Sequence, residues 1–123
     1  VISIKAKVKE MNIANYAQGT ALLIRSVRTI RKYRESKQDQ KQDQQSWRRA
    51  EAHRTGKLAL KRFDANLRLN LTDHLALCNY GMLLSMVFKD HDLSMKIYEA
   101  AHRIDRLHVR TMFYAAISRN PIH

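Results

Sequence analysis

"LALCNYGMLLSMVF", Leu75 to Phe88, is the least polar stretch of this 123-residue chain, and a glycine sits in its middle. Glycine costs a helix interior about 1 kcal/mol relative to alanine, so Gly81 needs a compensating reason. Short helices joined by tight turns form antiparallel hairpins. Where two such helices cross closely, a residue without a side chain lets the backbones approach. Gly81 falls on one apolar face with Leu77 and Leu84. The spacing therefore predicts a partner helix packed over it.

The rest of the chain supports an all-α reading. It has three glycines and one proline, Pro121, whereas strand-rich folds need frequent Gly, Pro and Asn-Gly turns. Hydrophobic residues make up 45%, enough for one modest core, and 123 residues suit one domain. The single cysteine, Cys78, excludes an internal disulfide and suits a reducing compartment inside the cell, mitochondrial matrix or cytoplasm. No apolar run is long enough for a transmembrane segment, and no signal peptide is visible. A start at Val1 fits a processed protein or a piece of one.

Residues 1–11, "VISIKAKVKEM", alternate apolar and basic side chains and read as an extended arm. From Asn12 the period changes. Ile13, Tyr16, Ala17, Thr20, Ile24, Val27 and Ile30 recur at three- and four-residue steps, predicting a basic amphipathic helix to about residue 36. "KQDQKQDQ", Lys37 to Gln44, has no opposite charges at i,i+4 and nothing apolar, so 37–46 reads as a polar linker or a protruding, frayed helix. Residues 47–123 read as helical hairpins, interrupted or turned near Thr55–Gly56. Thr72-Asp73 marks a helix start, with helices predicted over about 73–88, 92–105 and 107–119.

"LCNYGMLLSMVFKDHDLSMKIYEAAHRIDR", Leu77 to Arg106, resembles a tetratricopeptide repeat, a helical hairpin of about 34 residues. Leu77, Gly81 and Leu84 match the large-small-large positions of its first helix. Ser94, Tyr98 and Ala101 match the small-aromatic-small positions of its second. Phe63 stands where the aromatic of a preceding repeat belongs, with Ala59 ahead of it. The resemblance spans about 59–106 and covers one repeat fully. It departs from the family at Asp105-Arg106, where the closing proline is missing, and at Trp47, where a small residue belongs. The resemblance implies a non-catalytic scaffold that binds other proteins. A lone repeat and a half would need a partner, or more chain, to complete its core, and Val109, Met112, Phe113, Ala116 and Ile117 would form its uncovered end.

The strongest functional signal is charge. Residues 1–72 hold 17 Lys/Arg against 6 Asp/Glu, and residues 73–123 hold 6 against 5. Such asymmetry marks a surface facing a polyanion, or a merely solubilising one. Arginine dominates the basic segment, and guanidinium groups grip phosphates in a bidentate fork. The candidate anion-binding residues are Arg25, Arg28, Arg31, Lys32, Arg48, Arg49, Lys61 and Arg62. Aromatics there are sparse (Tyr33 and Trp47), so the composition predicts sequence-blind backbone contact rather than a base-stacking platform.

Other chemistry is poorly supported. His74 and Cys78 have an i,i+4 spacing that can hold a metal, but no further ligand pattern accompanies them. No nucleophile motif or phosphate loop is present, so neither an enzyme nor a cofactor is expected. The expected role is a structural subunit that docks other protein subunits through its neutral half. Its basic half would meet an anionic surface: RNA of a ribosome-like particle, acidic protein or lipid. "ALLIRSVRTIRKYRESK", Ala21 to Lys37, also admits a calmodulin-type target helix.

Overall fold

Four helices make up the described residues. The computed structural model describes residues 3–35 and 42–106. Helix α1 runs Ile4–Glu35, α2 Gln42–Leu69, α3 His74–Met86 and α4 His91–Ile104. No strand occurs among the described residues. Helices α1 and α2 form one antiparallel hairpin: Gly19 meets Phe63, Ser26 meets Ala52, and Lys32 meets Arg48. Helices α3 and α4 form another: His74 meets Asp105, Gly81 meets Tyr98, and Ser85 meets His91. Helix α1 runs parallel to α3, because Asn12 pairs with Asp73 and Thr20 with Asn79.

The apolarity of α3 follows from its position. It packs against α1, α2 and α4, and a helix covered on most sides has no need of a charged face. Ala76, Leu77, Cys78, Asn79, Gly81, Leu83 and Leu84 are all buried. One core cluster joins Leu23, Val27 and Ile30 of α1 to Ala52, Ala59 and Phe63 of α2 and Ala76 and Leu83 of α3. A second joins Leu77 and Cys78 to Ala101 of α4. Phe63, Leu77, Gly81, Leu84, Tyr98 and Ala101 are buried without exception.

Both hairpins use the same device at their crossing. A glycine on the first helix lies under an aromatic ring from the second, Gly19 under Phe63 and Gly81 under Tyr98. In each hairpin a buried serine donates to a backbone carbonyl of the opposite helix, at the crossing glycine itself in the second hairpin and about two turns along from the crossing in the first. Ser26 Oγ bonds Ala52 at 2.7 Å, and Ser94 Oγ bonds Gly81 at 2.8 Å. The predicted start at Asp73 is an N-cap, its carboxylate accepting from the Ala76 amide at 3.1 Å. Asp90 caps α4 in the same way through Leu93.

The expected extended arm is corrected over 4–11, which belong to α1. An arm without a partner strand leaves its amides unpaired, whereas a helix pairs its own. Ser3 caps it by accepting from Ala6, and the Lys7 amide donates to the Ser3 carbonyl. The expected interruption at Thr55–Gly56 is also corrected, because α2 passes through both. Thr55 is buried, and Gly56 faces Phe88 and the Ser26 hydroxyl, so this glycine serves a close approach rather than a turn. Of the expected linker 37–46, residues 42–46 are the start of α2. A helix anchored further on extends cheaply through glutamines. The remainder of the linker, and the predicted helix over 107–119, lie outside the described residues.

Candidate anion-binding seam

The first hairpin carries the charge. Helices α1 and α2 together hold 15 Lys/Arg against 5 Asp/Glu, while α3 has neither and α4 has two of each. The candidate cations do not form one patch, however. They divide between two sides of α1.

On one side, the seam between α1 and α2 opens into two successive clefts. The first, about 270 Å³, is lined by Arg25, Thr29 and Lys32 of α1 and Trp47, Arg48 and Glu51 of α2. The second, about 330 Å³, is lined by Leu22, Leu58, Lys61, Arg62 and Ala65. The helical pitch sets this grouping: Arg25, Thr29 and Lys32 are spaced by four and three, and so are Leu58, Lys61 and Ala65 on the facing helix. The seam thus unites Arg25, Lys32, Arg48, Lys61 and Arg62.

Glu51 organises its middle. Arg54 holds it with a two-pronged fork, Nε to Oε2 at 3.1 Å and Nη2 to Oε1 at 2.7 Å. Arg25 reaches the same carboxylate at 3.7 Å. The Arg54 hydrogen bonds hold the Glu51 carboxyl below its ordinary range, against an opposing push from desolvation, and the charges of Arg54 and Arg25 add to the lowering. Surface ion pairs contribute little stability, and Arg25 and Arg54 remain 66% and 61% exposed. One carboxylate is thus shared by two guanidinium groups and offsets the charge of only one of them. Arg48 Nη1 donates to the Lys32 carbonyl at 3.4 Å, tying the two helices at that end.

Arg28 and Arg31 lie elsewhere. They line a cleft of about 300 Å³ between α1 and α3, with Tyr16, Thr20, Ile24, Asn79 and Met82. Arg49 is exposed on α2 and lines neither cleft of the seam. Sequence reasoning did not single out Glu51 or Arg54, although their i,i+3 spacing was the available signal. His74 faces Asp105 at 3.5 Å, and Cys78 is fully buried one turn away. No helix among the described residues is long and apolar enough to cross a membrane. Set beside family models, curated proteins and solved structures, the chain matches none of them.

Proposed function

We propose that this chain is a non-catalytic scaffold subunit that lies along an extended polyanion. Contact runs through the α1–α2 seam, and the α3–α4 hairpin, whose helices carry no net charge, docks protein. The observation that carries this reading is the grouping of Arg25, Lys32, Arg48, Lys61 and Arg62 in two clefts of the same α1–α2 seam. A row of cations on rigid helices matches the regular charge spacing of a polyanion, and it releases counterions when it binds one. The tetratricopeptide-like reading of 59–106 belongs to the same proposal. Its support is the glycine-under-aromatic crossing, which both hairpins use.

The test is sedimentation of the native protein from a gentle lysate, at low and raised salt, with and without ribonuclease. Migration with a heavy particle that is lost in raised salt is the expected result. Light migration at low salt would overturn the reading. Loss of the heavy species on ribonuclease treatment would name RNA as the polyanion, and resistance would name an acidic protein or lipid surface.

A further inference from the structure

Trp47 is the only tryptophan in the chain, and it is 66% exposed. An indole brings more apolar area than any other side chain, yet the fold leaves this one outside its core. It stands as one wall of the first seam cleft, with Arg25, Lys32 and Arg48 around it. The cleft has room for the equivalent of about nine waters. That is too wide for a bare ion and wide enough for a flat ring.

Two features of the cleft must be satisfied by one ligand. An apolar segment of a protein partner would suit the indole but would desolvate three cations without pairing them, at considerable cost. A simple polyanion would pair the cations and leave the indole in water. A nucleotide with an unpaired base satisfies both, because base–aromatic stacking and phosphate–cation contact occur a few ångströms apart on the same ligand. Among the described residues Glu51 is the only carboxylate lining the cleft, and it is already shared between the Arg54 fork and the longer Arg25 contact. In a duplex the bases are stacked inside and only phosphates are presented. In a single strand the base faces are free. We infer that this cleft takes one nucleotide of a single-stranded nucleic acid, its base stacked on Trp47 and its flanking phosphates on Arg25, Lys32 and Arg48. This deepens the polyanion reading of the seam and rests on it.

The experiment uses the full chain and the fluorescence of its single tryptophan. The probes are a single strand of about ten adenylates, as RNA and as DNA, a duplex of the same length, and heparin as a base-free polyanion. Binding is followed separately by anisotropy of a labelled probe. The expected result is quenching of Trp47 by the single strands and none by duplex or heparin. Trp47→Ala is expected to weaken single-strand binding about tenfold and leave duplex and heparin binding unchanged, and Trp47→Phe is expected to recover most of the loss. A difference between the RNA and DNA strands would identify which nucleic acid the cleft favours. Binding of all probes without quenching, or equal binding by Trp47→Ala, would overturn the stacking site and leave the seam reading standing. No binding of any probe at low salt would overturn both.

Discussion

The Tyr98 ring lies over the backbone of Gly81 so closely that a Cβ on the glycine would stand 2.5 Å from Tyr98 Cε1 and 2.8 Å from Cδ1. Tyr98 is 4% exposed and sits mid-helix in α4, so the ring has nowhere to go. Gly81→Ala gains about 1 kcal/mol of helix propensity and meets an overpacking cost of roughly 1–3 kcal/mol. The expected net effect is destabilisation by up to about 2 kcal/mol, measured by urea unfolding. Gly19→Ala against Phe63 should behave alike, since its Cβ would stand 2.7 Å from Phe63 Cε1. Gly56→Ala provides the contrast. Its nearest neighbour is the tip of Phe88 at 3.1 Å, a half-buried side chain in the α3–α4 turn that can shift. That variant should fall within about 1 kcal/mol of the parent. Equal losses at all three glycines would refute this account of the crossings.

Two buried asparagines have opposite roles. Asn66 is wholly buried, and neither its Oδ1 nor its Nδ2 has a hydrogen-bond partner. A buried polar group left unpaired costs about 1–3 kcal/mol. Asn66→Leu is therefore expected to stabilise the protein by about 1 kcal/mol. Asn79 is equally buried but donates from Nδ2 to Thr20 Oγ1 at 3.3 Å, linking α3 to α1. Asn79→Leu breaks that bond and strands the threonine, so a loss of about 1 kcal/mol is expected. Denaturant midpoints of the two variants check this, and a loss at Asn66 as large as that at Asn79 would contradict it.

Tyr80 supplies a pH dependence. Burial pushes its phenol above the ordinary value, and the charge of Asp64 and a hydrogen bond to that carboxylate push the same way. A raised value in the folded state means that folding favours the neutral phenol. The associated stability is fully present below the unfolded value, about pH 10, and is lost as pH climbs through the folded value. Tyr80→Phe cannot lose what it never had. Parent and variant should therefore differ in stability at pH 8 by a gap that narrows above about pH 10. A gap that stays constant across that range would rule out the raised phenol.

Much of the second hairpin was legible in the sequence, and the first was less so. Gly81, Asp73 and Tyr98 announced themselves because each has a local cause: a propensity penalty, a capping carboxylate, a residue spaced to meet the glycine. Ser3 had the same local cause, but the alternating Ile-Lys pattern after it reads as a strand until one asks what the strand would pair with. Gly56 misled for a different reason. A glycine demanded by a neighbouring helix looks, in sequence, like one demanded by a turn, and only the approach of Phe88 and Ser26 tells them apart. The charge was visible as composition, but its division was not. Arg25 and Arg28 are three residues apart on one helix, and they serve different clefts because α2 lies on one side of α1 and α3 on another.

That division leads to a direct test of the seam. Neutralising a phosphate contact lowers the salt dependence of binding by roughly 0.7–0.9 in the slope of log K against log salt, the lower figure for single strands. Five cations line the seam, so a slope of about −3 to −4 is expected for the parent chain on a single strand. Lys32→Gln, Arg48→Gln and Lys61→Gln should each reduce the slope by a little under one, and the three together by about two. Lys32 and Lys61 are exposed, so their replacement should change folding by no more than about 0.5 kcal/mol, whereas Arg48→Gln also gives up the bond to the Lys32 carbonyl and should cost up to about 1 kcal/mol. Arg28→Gln with Arg31→Gln removes two positive charges from the same hairpin, but on the side of α1 that faces α3. If binding followed net charge alone, this pair would lower the slope as much as two seam residues do. If the seam is the contact surface, the pair should leave the slope unchanged and weaken binding by less than about threefold through long-range attraction.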